Sequence, residues 1–408
     1  MSDSGGDSRN AVFRASAASS EPTRAASSEK DLPPVPDWSG VQERVPAPPP
    51  LAPRRKTRRV RVGAVTIGGD APVSVQSMTT TKTDDWAATL EQVHQLAEAG
   101  CEIVRISVPD AKAAAACTRI KEGSPVPLVA DIHFDHRYAL AAIAAGWDKL
   151  RLNPGNIRDP KRVREVVAAA QERHIPIRIG VNLGSLAPDI IERYGRTPAG
   201  MVESALRHIA ILEELDFRDI VVSLKAHDVR VTTAAYRDMS KRVDYPFHLG
   251  ITEAGTTRTG TVKSSVGLGM LLAEGIGDTI RVSLAADPVE EVPVCWEILK
   301  SLGLRERGVE ITACPSCGRV QVDILRLADA VEKITAEYRA PVKVAVMGCA
   351  VNGPGEASMA DVGIAGGKGM GLIYRDGVKV RSLPEDKLLD GLREEIEKVI
   401  AERYPEYQ

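Results

Sequence analysis

Residues 149–182 read KLRLNPGNIRDPKRVREVVAAAQERHIPIRIGVN, and this segment gives the clearest indication of the fold class. It opens with a short strand-like run, Lys149–Asn153, and closes with a second one, Ile175–Asn182. The stretch between them, Pro160–Arg173, repeats its apolar residues at the spacing of an amphipathic helix. A strand, a helix and a second strand in this order predict a right-handed βαβ unit with two parallel strands.

The same alternation recurs from about residue 56 to residue 285, with helical stretches such as Trp86–Ala99 between most of the strand-like runs. The eight runs are Val73–Met78, Ile103–Val108, Leu128–Phe134, Lys149–Asn153, Ile175–Asn182, Ile220–Lys225, Phe247–Thr252 and Thr279–Leu284. Eight units in about 230 residues match the size of a TIM barrel. An open doubly wound sheet is the alternative, but no Gly-x-Gly-x-x-Gly follows the first strand to favour it.

Three segments of different character divide the chain. Residues 1–53 are rich in Ser, Ala and Pro and lack apolar periodicity, so we expect a disordered extension. Residues 54–300 form the predicted barrel, and residues 301–408 form a predicted small α+β domain. The extension has too many acids for a transit peptide and no apolar segment of a secretory signal, so the expected location is the cytoplasm.

The last segment has its own pattern of elements. Its predicted strands are Val309–Thr312, Val342–Met347, Val362–Ala365, Leu372–Tyr374 and Val378–Val380. Predicted helices cover about residues 320–338 and 385–403. The dipeptide Asp376-Gly377 lies between the last two strands, and this dipeptide favours a two-residue hairpin turn.

Composition excludes several classes of protein. The 408 residues carry 53 basic and 55 acidic side chains, which gives a net charge of −2 and excludes nucleic-acid binding by bulk charge. No apolar run reaches the roughly 18–20 residues that span a membrane. Six cysteines are few for this length, so their spacing indicates a metal or redox site rather than a disulfide scaffold.

Basic residues interrupt five of the predicted barrel strands, where both faces should be apolar. These residues are Arg105, Arg151, Arg178, Lys225 and Arg281. Each buried cation needs an anion, and the clear acids near the strands are only Asp131 and Glu253. Internal pairing could explain one arginine but not the set. We therefore expect a phosphate or diphosphate ligand at the carboxyl end of the barrel.

Polar residues near the same strand ends extend this predicted site. Asn153, Asn182 and Ser283 would add neutral hydrogen-bond donors to the anion. Asp131 and His133 are two residues apart on one strand and therefore face the same side. Glu253 follows the seventh strand, where a carboxylate among cations would be either a general acid or base or a counter-ion.

Three cysteines in the last segment predict a metal site. Cys314 and Cys317 have two residues between them, and Cys349 follows thirty-two residues later in Gly-Cys-Ala-Val-Asn-Gly-Pro-Gly-Glu (348–356). Thioredoxin-like redox chemistry would leave Cys349 without a role, and zinc would require a fourth Cys or His near it. An iron–sulfur cluster on three thiolates fits better, with an open iron or an oxygen ligand such as that of Glu356.

The other three cysteines have a different context. Cys101, Cys117 and Cys295 occur in apolar helical surroundings. They are predicted to be small buried hydrophobic residues rather than ligands.

These pieces together resemble the bacterial 4-hydroxy-3-methylbut-2-enyl diphosphate synthase family, iron–sulfur enzymes of the non-mevalonate isoprenoid pathway. The resemblance covers about residues 54–405 and rests on six motifs. They are RRKTRRVRVG (54–63), VQSMTTTKTD (75–84), ADIHF (130–134), RLNPGN (151–156), CPSCGR (314–319) and GCAVNGPGE (348–356).

The resemblance implies an activity and a set of roles. The enzyme would open the ring of 2-C-methyl-D-erythritol 2,4-cyclodiphosphate, remove a hydroxyl as water and deliver two electrons through a [4Fe-4S] cluster. Electrons would come from reduced flavodoxin or ferredoxin. The family is a homodimer in which the cluster domain of one chain covers the barrel of the other.

The resemblance also assigns residues. The cluster ligands would be Cys314, Cys317, Cys349 and Glu356, and Glu253 would be the proton donor. The diphosphate would be held by Arg105, Arg151, Asn153, Arg178, Asn182, Lys225, Arg281 and Ser283, beside Asp131 and His133.

Two other functions are consistent with parts of the pattern. One is a phosphosugar-binding barrel, an aldolase or isomerase, with a structural zinc domain. The other is an iron–sulfur regulator, which the near-neutral charge and the lack of a DNA-reading helix disfavour. Protein colour and bound iron distinguish the first alternative from the iron–sulfur enzyme.

Overall fold

A computed structural model describes residues 49–133, 135–157 and 159–407. The predicted disordered extension therefore lies outside the described residues, except for its last part, where the Ala52 amide donates to the Ala273 carbonyl (3.1 Å). The described chain forms two compact units that divide between Arg307 and Gly308. Among the described residues, no helix is long and apolar enough to cross a bilayer.

Eight parallel strands form the sheet of the first unit. They are β3 (Ser74–Met78), β4 (Ile103–Ser107), β5 (Leu128–Asp131), β6 (Lys149–Arg151), β7 (Ile177–Asn182), β8 (Ile220–Lys225), β9 (His248–Leu249) and β10 (Thr279–Ile280). The two strands that precede them in the chain, β1 (Val60–Val62) and β2 (Val65–Ile67), form a separate entry hairpin. The strands follow the order β8-β7-β6-β5-β4-β3-β10-β9. A parallel bridge between Val222 and Phe247 joins β8 to β9, so the sheet closes into a barrel.

In the described part of the chain, nine helices of this unit lie between or after the strands. They are α1 (Trp86–Ala99), α2 (Ala111–Gly123), α3 (His136–Ala144), α4 (Pro160–Glu172), α5 (Pro188–Tyr194), α6 (Pro198–Glu213), α7 (Val229–Met239), α8 (Thr257–Ala273) and α9 (Glu291–Ser301). Asp side chains cap several of them, for example Asp159, which accepts a hydrogen bond from the Lys161 amide at the start of α4. Their apolar faces pack on the outward side of the strands in one continuous core.

The predicted TIM barrel is confirmed. All eight predicted strands are present, and most are shorter than the sequence runs; Phe134, the predicted end of the third run, lies outside the described residues. The shortening is greatest at β9 and β10, because the chain after Leu249 and Ile280 leaves the ladder to form the rim of the barrel.

The entry hairpin closes the amino-terminal end of the barrel, where Val62 packs with Ile103 and Val129. The arginines that precede it attach the chain to the same end. Arg54 pairs with Asp278 (3.2 Å), and Arg55 donates to the backbone carbonyls ahead of β9. The motif at 54–63 therefore has a structural role at the end of the barrel that the candidate site does not use.

The second unit is a five-stranded mixed sheet with helices on both faces. Its strands are β11 (Glu310–Ala313), β12 (Lys343–Met347), β13 (Val362–Gly367), β14 (Met370–Arg375) and β15 (Val378–Pro384), and its helices are α10 (Ile324–Thr335), α11 (Gly353–Ser358) and α12 (Leu388–Arg403). The first three strands are parallel and the last two add antiparallel. The predicted hairpin is confirmed: Asp376 and Gly377 both have positive φ (52° and 76°), as this turn requires.

Candidate active site

One cavity at the carboxyl end of the barrel collects most of the predicted binding residues. Its volume is about 210 Å³. The lining residues are Arg105, Asp131, His133, Arg151, Arg178, Gly180, Asn182, Ser223, Lys225, Thr252, Arg281 and Ser283. Nine of the ten residues predicted to bind the substrate line this cavity, and the tenth, Asn153, does not.

Strand register explains why these side chains meet. In a parallel ladder, paired residues point to the same face of the sheet, as do residues two apart on one strand. Asp131 pairs with Arg151, and Arg151 pairs with Arg178, so three neighbouring strands present charged side chains at one level of the interior. Sequence distance does not matter here, because the closed sheet brings every strand to the same rim.

Two glycines make room for the cations. A Cβ atom on Gly180 would lie 2.7 Å from Nε of Arg151, and one on Gly250 would lie 2.7 Å from Nζ of Lys225. Real Cβ atoms do not approach this closely, so any larger residue would displace the charged group. The sequence therefore carries glycine where a strand backbone passes directly beside a basic side chain.

Asn153 supports the site from behind. Its side-chain amide donates to the Gly180 carbonyl (2.8 Å), and its amide oxygen accepts from the Gly180 N–H (2.9 Å). Both polar groups of the side chain are therefore occupied by β7. In this structure Asn153 positions Gly180 and the neighbouring Arg151 rather than lining the cavity.

Asp131 is the carboxylate among the residues that line the cavity. It lies 3.3 Å from Nη1 of Arg151 and 3.7 Å from Nε of Arg105. Burial alone would raise the pKa of Asp131, but the surrounding cations outweigh burial and hold it below its ordinary value. Asp131 therefore stays ionised and neutralises part of the positive charge.

A second carboxylate, which the sequence did not reveal, holds Arg281. Glu291 at the start of α9 is buried, and its oxygens lie 3.1 Å and 3.2 Å from Nε and Nη2 of Arg281. It also accepts hydrogen bonds from Ser77 Oγ (2.8 Å) and the Leu284 amide (3.1 Å). Glu290 and Glu291 are adjacent acids on one turn, and no sequence pattern distinguishes the one that faces inward.

Arg178 has no such partner. Its Nη1 donates to Ser223 Oγ (3.1 Å), while Nε and Nη2 are buried and have no hydrogen-bond partner among the described residues. Burial and the nearby Arg105 and Arg151 lower the pKa of Arg178 far below the usual value. A buried guanidinium with two unused donors indicates a site built for an anion that the protein itself does not supply.

Arg105 is also incompletely paired. Besides the long contact with Asp131, its Nε and Nη2 lie 3.1 Å and 2.8 Å from the sulfur of Met78, which is a weak acceptor. Burial lowers the pKa of Arg105 to about 10, although Asp131 counteracts part of this effect. The free energy cost of keeping this cation buried falls when an anion enters the cavity.

The charge balance follows from these contacts. Five cations line the cavity, and the acids paired with them in the described chain are Asp131, at the cavity, and Glu291, behind Arg281. With all five basic groups protonated, as an anion in the cavity would favour, the surplus of about three positive charges matches a ligand with two phosphate groups better than a single carboxylate. The geometry can therefore bind and orient a small polyanion.

Glu253 lies in a second cavity beside the first. This cavity has a volume of about 400 Å³ and shares Asn182, Lys225 and Thr252 with the anion pocket. Glu253 has a φ of 52°, an uncommon conformation for a residue other than glycine. Strained backbone of this kind clusters at functional sites, and here it presents a carboxylate next to the anion pocket.

The predicted cluster ligands follow the strands of the second unit. Cys314 comes directly after β11, and its amide donates to the Val346 carbonyl of β12 (2.9 Å). Cys349 comes two residues after β12, and Glu356 lies in the first turn of α11. Since β11 and β12 are parallel neighbours, the loops carrying the three cysteines leave the same edge of the sheet.

The chemistry of this donor set suits an iron–sulfur cluster. All three thiols are free, and Cys317 is exposed. Among the described residues, a Cβ atom on Gly318 would meet nothing within 4 Å, so there is open space at the backbone position that follows Cys317. In the described chain, however, no group of three or more His, Cys, Asp or Glu side chains is arranged as a metal site.

The remaining three cysteines are buried, as predicted. Burial raises the pKa of the Cys101, Cys117 and Cys295 thiols to about 12. At that pKa they are protonated and inert near neutral pH.

Fold and pocket together define a class: a TIM-barrel protein with a pocket rich in basic side chains at the carboxyl end of the strands, followed by a cysteine-bearing mixed-sheet unit. The protein-family model for the GcpE TIM-barrel domain matches residues 57–296 of this sequence, and the family model for the GcpE protein C-terminal domain matches residues 310–398. The chain therefore belongs to the GcpE family.

Curated relatives agree over most of the chain. The 4-hydroxy-3-methylbut-2-en-1-yl diphosphate synthase (flavodoxin) of Geobacter sulfurreducens is 58% identical over 352 residues, which cover 86% of this chain and 100% of the relative. The protein of the same name from Bacillus subtilis is 55% identical over 352 residues, covering 86% and 93%. A solved dihydropteroate synthase from Burkholderia cenocepacia aligns with a TM-score of 0.45 and 17% identity, covering 62% of this chain and 99% of that one.

Proposed function

We propose that this chain is a 4-hydroxy-3-methylbut-2-en-1-yl diphosphate synthase. It would act on 2-C-methyl-D-erythritol 2,4-cyclodiphosphate, opening the ring, removing a hydroxyl as water and adding two electrons. The observation that carries this proposal is the pocket in which five cations face one lining carboxylate. The names of the relatives in the same family supply the product.

In this proposal the pocket binds the two phosphates of the substrate. Arg178 would donate through its two unused nitrogens, and Lys225 and Arg281 would complete the contacts. Asn182, Ser223 and Ser283 add neutral donors. Most of the charge is fixed in place before binding, so the substrate is held without a large reorganisation of side chains.

Glu253 would act as the proton donor for the departing hydroxyl. The support is its position in the cavity that shares three residues with the anion pocket. A carboxylic acid there could reach a substrate whose phosphates lie in the first cavity. Asp131 fits this role less well, because the cations around it keep it ionised.

A [4Fe-4S] cluster, when bound, would supply the electrons that the reaction needs. Cys314, Cys317 and Cys349 would hold it, and Glu356 would provide an oxygen ligand to the fourth iron. Supporting this assignment are the free state of the thiols and the common sheet edge from which their loops leave. Reduced flavodoxin, the donor named for the relatives, or ferredoxin would reduce it.

A comparison of two variants tests the cluster. Protein purified without oxygen should be brown and contain about four irons per chain. Cys349→Ser should lose the colour and the iron, whereas Cys117→Ser, which removes a buried thiol on α2, should keep both. A colourless wild-type protein with one zinc per chain would instead support the phosphosugar alternative.

A second comparison tests the acid. Glu253→Gln should retain iron and substrate binding but lose turnover with a reduced donor, because the amide cannot release a proton. Full activity in this variant would contradict the role assigned to Glu253.

The complete site would combine the barrel of one chain with the cysteine unit of a second copy. Co-expression of Glu253→Gln with Cys349→Ser tests this arrangement. In a mixed dimer, one barrel with Glu253 would face one intact set of cysteines, and activity would return. If each chain uses its own two units, every site keeps one defect and the mixture stays inactive.

A further inference from the structure

Lys225 differs from the other cations of the anion pocket in its partner. Its Nζ lies 3.3 Å from Nε2 of His248, and both residues are buried. No carboxylate in the described chain lies within ion-pair distance of Nζ. The strand backbone at Gly250 confines the ammonium from one side, so it has little freedom to seek another partner.

Charged groups on several elements of the barrel act on Lys225. Cations act on it from three sides, Arg105 on β4, Arg178 on β7 and Arg281 directly after β10, while the acid that acts on it is Glu291 on α9. The second cavity adds Arg196, His227 and Glu253 around the same side chain. Because Glu291 is already paired with Arg281, the net field at Nζ is positive and disfavours a proton there.

His248 can hold the amine in either protonation state. A neutral amine accepts from Nε2–H, while an ammonium donates to an unprotonated Nε2, and the ring proton then sits on Nδ1. Nδ1 is buried with no hydrogen-bond partner among the described residues, so no other group fixes the tautomer. The contact at 3.3 Å therefore persists whichever way the proton is placed.

We propose that Lys225 and His248 form a proton-accepting pair, and that the enzyme takes up one proton on Lys225 when the cyclic diphosphate enters the pocket. The inference deepens the proposed function, on which it rests. The negative charge of the ligand offsets the field of the arginines and favours the ammonium, which then binds the phosphate. Burial and the same arginines lower the pKa of Lys225 well below its ordinary value in the empty pocket, which supports this sequence of states.

The sign of the pH dependence follows. The bound state carries one more proton than the free state, so affinity for the ligand falls as pH rises above the pKa of Lys225 in the free enzyme. The decrease continues until the pH passes the higher pKa of the bound state. Within that range the dissociation constant should rise about tenfold per pH unit.

Titration calorimetry with the cyclodiphosphate, without a reductant, tests the proposal on the full chain. The ligand has one strongly acidic hydroxyl on each phosphorus and does not itself titrate near neutral pH. The measured enthalpy in two buffers of different ionisation enthalpy gives the number of protons taken up. We expect about one proton per chain in the wild type.

Three variants locate that proton. Lys225→Met is uncharged and of similar length, so uptake should disappear and affinity should fall at least about tenfold. Lys149→Met removes another buried lysine that does not line the pocket, and His133→Gln removes a titratable ring that does; uptake should persist in both. If Lys225→Met binds the cyclodiphosphate too weakly to measure, the change of the wild-type dissociation constant with pH shows whether a proton is taken up on binding.

A comparison of two His248 variants tests the role of this residue in the pair. His248→Gln keeps a side chain that can donate or accept, so the pH profile should stay close to that of the wild type. In His248→Leu the ammonium loses its acceptor, and the fall in affinity should begin at lower pH. Identical profiles for the two variants would show that His248 has only a structural role.

The outcomes separate the two proposals. Binding with an enthalpy that does not depend on the buffer would overturn the proton-accepting pair and leave the proposed function standing. Uptake that survives in Lys225→Met would also overturn it. No binding of the cyclodiphosphate would overturn the proposed function, and the pair with it.

Discussion

Arg281 and Glu291 form a two-pronged ion pair directly beneath the anion pocket, with Nε–Oε2 and Nη2–Oε1 distances of 3.1 Å and 3.2 Å. The carboxylate comes from α9, whereas the arginine extends from the end of β10. Glu291 is buried and also accepts from Ser77 and Leu284. It therefore fixes the direction of a guanidinium that lines the pocket.

Glu291→Gln should weaken substrate binding more than it slows turnover. The amide can keep one hydrogen bond to Arg281 but loses the second prong and the charge, so KM should rise about tenfold with a smaller change in kcat. Steady-state kinetics with a reduced donor measure both constants. As the matched control, Glu290→Gln changes the acid one residue before Glu291 and should leave KM unchanged. Equal effects of the two substitutions would contradict the positioning role.

Removing an unpaired buried cation should stabilise the protein while abolishing its function. Arg178→Met replaces two unsatisfied donors with apolar atoms, and the free energy of unfolding should increase by about 1 kcal/mol or more. Urea denaturation of the cluster-free protein measures it. Affinity for the cyclodiphosphate should fall at least about a hundredfold.

Arg151→Met provides the opposite case. Arg151 is paired with Asp131 and donates to the Gly180 carbonyl (2.9 Å), so its loss leaves a buried carboxylate with one long contact. The free energy of unfolding should decrease by about 3–5 kcal/mol. If both arginine variants change stability in the same direction, the proposed difference in pairing between the two arginines is wrong.

Stability should depend on the ionisation of Asp131 at low pH. The pKa of Asp131 in the folded protein is lowered. Its contribution to the free energy of unfolding is therefore fully present above the pKa of about 3.9 that it has in the unfolded chain, and is lost as the pH falls through its pKa in the folded protein. Asp131→Asn should therefore lower the free energy of unfolding near neutral pH, and the difference from the wild type should shrink on acidification below about pH 4. Urea unfolding at a series of pH values would reveal a constant difference if the carboxylate is not involved.

Alkylation should separate the cysteines into two groups. In iron-free native protein, iodoacetamide should modify the exposed Cys317 rapidly, while Cys101, Cys117 and Cys295 react only after unfolding because they are buried and protonated. Mass spectrometry of tryptic peptides gives the order. Loading the cluster should protect Cys317, and equal labelling with and without iron would argue against its role as a ligand.

The residue pattern alone specifies the barrel and the identity of its cations. Alternating strand and helix patterns specify parallel strands, and the period of two places Asp131 and His133, or Arg178 and Gly180, on one face. A basic residue in the middle of such a strand must lie in the barrel interior or in the outer core, and both are costly without an anion.

The way in which each charge is compensated depends on the folded chain as a whole. Glu291 reaches Arg281 from a helix, Asn153 turns both polar groups to Gly180, and His248 meets Lys225 from the next strand. These contacts depend on which of several adjacent polar residues faces inward and on distances set by the strand register. Local sequence does not encode them, because the energy of a buried charge is determined by all the groups that the closed barrel brings around it.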